Sequence, residues 1–307
     1  MFTVIIPILY LTEYSRKAIL VIKQKAKTFK HIYFLLSCRS DVRYEVEELF
    51  DEVLMLNNLN IISFNGANSN GLRKYALSYV RTQYVFYQDC DDIVYYDVLL
   101  EGFEKCDGTN VVCFNIRKKM YDEQNSIVKD QVLYTMKTGH ISKIQNLPTN
   151  IVNKLIPLST LQKIAFYNIP FSQDLSLSFQ LFDKAEHLFN AKIAYLYESN
   201  LLSTSGIKKT KYSSLLRVVV MEKLLLSLCS QNKYNKSYIK YRYELLLQSR
   251  FAYLGKLYLP SASLPIFSIQ QFGIKGVGNH LYHYMKSYIS CCKLLIKNLF
   301  YAHPSSI

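Results

Sequence analysis

At 307 residues the chain is long enough for one large domain and an appendage, and its half-apolar, one-fifth-charged composition excludes a disordered or collagen-like chain. The net charge of +14 is uneven: residues 207–307 carry 15 Lys and Arg against Glu222 and Glu244, which is +13 of the total. Two regions with different roles are expected, 1–206 and 207–307. No run of about 18 apolar residues occurs, so no helix is expected to span a bilayer.

In chain order, the short Val/Ile run of TVIIPIL lacks the flanks of a signal peptide and is expected to form a buried first strand ending at Pro7. Residues 12–27 follow as a helix, HIYFLLS (31–37) as a second strand and VRYEVEELF (42–50) as a second helix. The third strand is VLML or NIISF. A helix over 71–82 leads into strand YVFYQ (84–88), and a helix through 95–105 precedes strand NVVCFNI (110–116). Apolar strands separated by helices predict an α/β fold with a mostly parallel sheet covered on both faces. Residues 117–150 are polar and suit a substrate-side loop or small hairpin, and helices with a short strand, KIAYLY (192–197), finish the domain. Residues 207–307 read as a helical, basic extension.

The seven cysteines, at 38, 90, 106, 113, 229, 291 and 292, are odd in number and lack C-x2-C spacing. They read as reduced thiols of a cytosolic protein rather than as a disulfide framework or zinc site.

Ligands of open α/β sheets sit at the carboxyl ends of the strands, and Asp89-Cys90-Asp91-Asp92 follows YVFYQ at that edge. Three carboxylates so close repel one another, and a divalent cation removes that penalty. Asp89, Asp91 and Asp92 are therefore candidate ligands of Mg²⁺ or Mn²⁺, hard ions that also bind nucleotide phosphates. The four residues alone fit a solvated acidic loop equally well.

The surrounding residues add a resemblance. Arg73-Lys74-Tyr75-Ala76, then Gln83-Tyr84-Val85-Phe86-Tyr87-Gln88-Asp89-Cys90-Asp91-Asp92, is similar without a gap to the A-R-N…G-E-Y-I-x-F-x-D-x-D-D pattern of the family 2 glycosyltransferases, which have the GT-A fold. Asn65-Gly66 resembles that family's N-x-G turn, Asn153-Lys154-Leu155 its N-K-L segment, and Gln173-Asp174 its E-D pair. The resemblance spans residues 1 to about 206, with YLYESNLLSTSG (195–206) similar to the closing strand and loop. It implies inverting, hexosyltransferase-type transfer of a sugar from a nucleotide-diphosphate donor to a glycan or lipid-linked acceptor in bacterial surface or capsular polysaccharide synthesis. Asp174 would be the base, and Pro7, Asp41, Arg73, Asp89 and Asp91 would line the donor site.

The chain departs from the pattern at Ser37-Cys38-Arg39-Ser40-Asp41, where the family carries D-D-G-S-x-D, at Lys74 in place of Asn, and at Gln173 in place of Glu. The Arg73-Lys74 pair reads as a phosphate contact or as a solvated helix face. Lys154 reads as a phosphate or acceptor contact or as a structural ion-pair partner. A phosphatase of the haloacid-dehalogenase type also uses D-x-D, but Ile93 stands where its Thr or Val belongs and the motif is not on the first strand.

In the basic region, HLYHYMKSYISCCKLLIKNLF (280–300) sets Lys286, Lys293 and Lys297 among apolar residues at helical spacing. It fits peripheral contact with an anionic membrane at the cytoplasmic face, or a packing helix with a solvated side. No nucleic-acid motif appears, so nucleic acid is not an expected partner. The non-enzymatic alternative is a homologue without activity that binds a partner or a membrane. The missing D-D-G-S favours it; the Asp cluster and Asp174 oppose it.

Overall fold

Phe2–Ile8 (β1) is buried at every position, as expected of a central strand covered on both faces, which shows no alternation. The computed structural model describes residues 1–50, 56–66, 68–122, 126–142, 146–166 and 173–199. Helix Glu13–Thr28 (α1) starts at Thr12, whose hydroxyl accepts the Ser15 amide while the Ser15 hydroxyl accepts the Thr12 amide. This reciprocal cap, with Glu13 in the first turn and Lys25 and Lys27 in the last, fixes both ends. Strand Ile32–Arg39 (β2), helix Arg43–Leu49 (α2) and strand Leu59–Phe64 (β3) follow. Of the two candidates for the third strand, NIISF lies in β3, while residues 53–55 of VLML lie outside the described residues.

Helix Ser69–Ala76 (α3) is capped by Asn68, whose side chain accepts the Gly71 amide at 2.9 Å. It is shorter than the 71–82 helix expected. The Ser78 hydroxyl turns back onto the Tyr75 carbonyl at 2.8 Å and the chain tightens into a 3-10 turn over Leu77–Tyr79 before strand Tyr84–Tyr87 (β4).

The remaining elements are Ile93–Val94 (β5), Tyr96–Phe103 (α4), Val111–Tyr121 (β6), Ile127–Val132 (β7), Gly139–His140 (β8), Lys154–Pro157 (β9), Leu158–Leu161 (α5), Gln173–Lys184 (α6) and His187–Ser199 (β10). The sheet runs β3-β2-β1-β4-β9-β6-β10-β5. Pairings β3/β2, β2/β1, β1/β4 and β6/β10 are parallel, and β9 runs against both β4 and β6. Hence β1, β2, β3, β4, β6 and β10 all point one way, and their carboxyl ends share one edge. The hairpin expected within 117–150 is the antiparallel β6/β7 pair. KIAYLY lies inside the longer β10, whose register against β6 shifts between Asn190 and Tyr195.

Aromatic side chains fill the space under the sheet. Phe103 of α4 meets Phe2 and Tyr84 at ring distances of 5.5 and 5.8 Å, and each such side chain contributes roughly 1.5–3 kcal/mol on burial. Gly102 on the same helix meets the tip of the Phe114 ring: a Cβ there would stand 2.2 Å from Cζ.

Pro7 is buried in β1 and costs no ladder bond. The Ile5 carbonyl accepts the Gln88 amide, so residue 7, two further on, turns its main chain past the end of β4, where a missing N–H is harmless.

The chain divides into two units, Met1–Ile207 and Lys208–Ile307. The basic region 207–307, with its 280–300 segment, lies outside the described residues, as do residues 167–172 and 200–206. Among the described residues no helix is long and apolar enough to cross a membrane. Cys38, Cys90, Cys106 and Cys113 are free thiols.

Candidate active site

Beyond β4 the chain turns through Gln88–Asp92, and side chains rather than a ladder hold it. Gln88 donates from Nε2 to the Asp92 carbonyl (3.1 Å) and accepts the Tyr96 hydroxyl (2.5 Å), while the Asp92 amide donates to the Asp89 carbonyl (3.2 Å). Tyr195 reaches in from β10. Its hydroxyl accepts the Asp89 amide at 3.0 Å and donates to Asp92 Oδ2 at 2.7 Å, and the Glu198 amide donates to Asp92 Oδ1 at 3.3 Å.

Asp92 is thus a structural member of the cluster. It is 1 % exposed, and burial together with the charges of Asp91 and Asp89 raises its pKa well above the carboxylate range, against the pull of Tyr195 and Glu198. Asp92 is an expected metal ligand, and in this structure each of its oxygens accepts one bond from a protein donor.

Arg73, on the buried face of α3, gathers the other acids. Its Nη2 donates to Asp89 Oδ1 at 2.6 Å and its Nη1 to Asp174 Oδ1 at 3.1 Å, with Asn70 Oδ1 at 3.5 Å. The guanidinium lies 5.6 Å from the centre of the Tyr87 ring. Its side chain is 4 % exposed, whereas Asp89 and Asp174 keep 39 % and 31 % of theirs open. Burial alone would discourage the cation, but Asp89 and Asp174 outweigh it and hold Arg73 protonated. In return, burial raises the pKa of Asp89, Arg73 lowers it and Asp174 raises it again, with a net upward shift.

Arg73, expected at the donor site, faces two partly open carboxylates. Its Nε and the Tyr87 hydroxyl are buried without a partner among the described residues.

Asp174, in the first turn of α6, is brought to this cluster from 101 residues beyond Arg73. Its second oxygen accepts the Ile151 amide at 3.3 Å. Lys154 is fully buried, and its Nζ donates to the Pro148 carbonyl (2.7 Å), the Asn153 side chain (3.0 Å) and the Asn150 carbonyl. Of the readings left open, contact with phosphate is removed by burial; the structural role stands, though through oxygen acceptors rather than an ion pair. Desolvation lowers its pKa to about 8.

Asp41 lies in the 3-10 turn after β2, on the same sheet edge. Arg39 grips both its oxygens at 2.5 Å and stacks over Tyr10 at 4.7 Å.

Asp91 is the exposed member of the cluster, and partial shelter together with the charge of Asp89 raises its pKa. Among the described residues no group of three or more His, Cys, Asp or Glu converges on a point where a metal ion could sit. A cage of three aspartates does not fit. One carboxylate, Asp91, sharing an ion with ligand phosphates does fit the way Mg²⁺ is ordinarily held.

No family model matches the sequence, and no curated protein matches it. Solved structures do. Residues 1–349 of S. aureus TarS match with a TM-score of 0.58 at 16 % identity, over 92 % of this chain and 80 % of that one. The same fragment in complex with UDP-GlcNAc matches at 0.58 and 15 % identity, over 92 % and 81 %. A longer TarS structure matches at 0.60 and 13 % identity, over 94 % of this chain and 54 % of that one. The fold is that of the GT-A glycosyltransferases. In that fold the carboxyl edge bearing Asp89, Asp91, Asp174 and Arg73 is where the sheet's geometry places a ligand.

Sequence reasoning missed Tyr195, Asn70 and the Ile151 amide. Tyr195 stands in an apolar strand with nothing to set it apart from core tyrosines. Asn70 carried a faint signal, as a polar residue three positions before Arg73 on one helix face.

Proposed function

We propose that the chain transfers a sugar, of the hexose type, from a nucleotide-diphosphate sugar to a hydroxyl of a glycan or lipid-linked acceptor, with inversion. The observation that carries this reading is the Asp89–Arg73–Asp174 bridge, with Asp91 open beside it, at the carboxyl edge of the sheet. Support comes from solved neighbours that hold UDP-GlcNAc and UDP.

Asp174 is partly open, and a base must be open on one side to meet its substrate. It takes the proton of the acceptor hydroxyl as that oxygen attacks the anomeric carbon from the face opposite the nucleotide. The bond to the diphosphate breaks, and the product is inverted. Arg73, a permanent cation, keeps the carboxylate aimed. Asp89, on the other arm of the bridge, fixes the turn that presents Asp91. Asp91 would hold an Mg²⁺ or Mn²⁺ ion beside the donor's diphosphate, and such an ion would supply charge that offsets the departing diphosphate. Pro7, Tyr10 and Asp41 border the same edge, where the nucleobase lies in this reading. The basic residues 207–307 supply a peripheral contact with an anionic membrane at the cytoplasmic face, and bacterial surface polysaccharide is the acceptor class.

Calorimetric titration with UDP, GDP, CDP and dTDP, with and without Mn²⁺, tests the reading. One nucleotide binding in a metal-dependent way, with the affinity lost in Asp91→Ala, is the expected result. Asp174→Asn should keep that affinity and lose transfer by about 100-fold or more. No binding of any nucleotide under either condition would sink the catalytic reading and leave the partner- or membrane-binding alternative.

A further inference from the structure

Lys154 lies within β9 at 0 % exposure, and its three N–H bonds meet three oxygen acceptors, the Pro148 and Asn150 carbonyls and the Asn153 side chain. An ammonium has three donors, so its hydrogen-bonding capacity is filled. All three acceptors belong to one stretch, residues 148–153. Among the described residues no carboxylate is hydrogen-bonded to Lys154, although the charge of Asp174 favours its protonated form; burying a cation this way is costly, and a methionine of similar volume would pack there without that penalty.

That stretch is also tied to α6 at two points one helical turn apart. The Ile151 amide donates to Asp174 Oδ2 at 3.3 Å, and the Ser178 hydroxyl donates to the Thr149 carbonyl at 3.0 Å. Asp174 and Ser178 are i, i+4 neighbours on one face of the helix. On its far side the stretch is pinned to the sheet, where the Asn153 side chain donates to the Phe114 carbonyl at 2.5 Å.

We infer that Lys154 is a positioning residue for Asp174: it gathers residues 148–153 into the one geometry in which the Ile151 amide aims the carboxylate. The inference rests on the reading of Asp174 as the base, and it names the device that orients that base from the side opposite Arg73. Lys154 itself never meets the substrate. Asp174 is thus held from two directions, one oxygen by a guanidinium and the other by an amide whose place is set by a buried ammonium.

Two variants test it. Lys154→Met removes the ammonium and keeps the volume. Ile151→Pro removes the amide donor, along with part of a buried side chain, and the backbone accommodates it because Asn150 already has φ −78° and ψ 136°, the conformation a following proline requires, and residue 151 opens a helical turn. In either variant kcat should fall about tenfold, equivalent to roughly 1.4 kcal/mol, while nucleotide affinity stays within about twofold.

Hydrogen exchange at Ile151 reads the geometry without any turnover: protection in the wild type should be lost in Lys154→Met while the amides of β1 and β4 stay protected. Unchanged protection of Ile151 in Lys154→Met overturns the inference even if no transfer is measurable in any form of the protein. So does a full kcat in Ile151→Pro, which decides the matter should Lys154→Met not fold. A wild type that binds nucleotide and transfers nothing, with Ile151 protection dependent on Lys154, sinks the reading of the base but leaves the positioning device in place.

Discussion

The Tyr195 hydroxyl donates to Asp92 Oδ2 at 2.7 Å across 103 residues of sequence and accepts the Asp89 amide at 3.0 Å. One oxygen thereby fixes both ends of the acidic turn to β10. Tyr195→Phe keeps the ring and leaves a buried carboxylate and a main-chain amide short of a partner. The expected loss is about 1–3 kcal/mol of unfolding free energy, measured by urea denaturation, with weaker nucleotide binding as the turn loosens. Full stability in this variant would show that the hydroxyl is dispensable.

Asp92 predicts a pH dependence of definite sign. Its carboxyl pKa is raised in the folded protein by burial and by Asp91 and Asp89, so the fold holds a proton that the unfolded chain releases. The stability this contributes is complete below the ordinary carboxylate value of about 3.9 and is lost as pH rises through the folded value. Wild type should therefore lose stability relative to Asp92→Asn as pH rises above the ordinary carboxylate value of about 3.9. Urea titrations of both proteins across that range measure the difference, and a wild type that gains on the variant with rising pH contradicts it.

Arg73 is the one cation between two partly open acids. Arg73→Met leaves Asp89 and Asp174 facing each other without it. A fully buried pair broken this way loses about 3–5 kcal/mol; with carboxylates 39 % and 31 % exposed, about 2 kcal/mol is expected. Arg73→Lys should recover part of the stability but not transfer, because an ammonium lacks the planar fork that serves two carboxylates at once. Denaturant midpoints and turnover of the two variants separate these effects.

Gly102 tests the packing that supports the edge from below. An alanine Cβ would stand 2.2 Å from Phe114 Cζ, so the ring or helix α4 must shift. Gly102→Ala should lose about 1–3 kcal/mol, read as a lower thermal midpoint. Gly102→Ala with Phe114→Leu should recover part of it.

The strands that are buried on both faces were legible in the sequence because their apolar runs are local: β1, β2 and β4 lie within a residue or two of TVIIPIL, HIYFLLS and YVFYQ. The short β5 and β9 were not, since two and four residues carry too little pattern. In the site, the acidic cluster and Asp174 could be found from the motif. Which acids face the cleft could not. Past the end of β4 no pleat fixes the alternation, and the inward turn of Asp92 depends on Tyr195, a partner on another strand. The enclosure of Arg73 by Asp174 is equally non-local. Lys154 could be recognised as noteworthy, but its acceptors are carbonyls, which every residue has.

Arg73 and Asp89 stand 16 residues apart, whereas Asp174 lies 101 residues beyond Arg73. A growing chain emerging at about 5–20 residues per second therefore spends roughly 5–20 s with the guanidinium already made and its second acid not yet synthesised. Completion of the site is timed by translation.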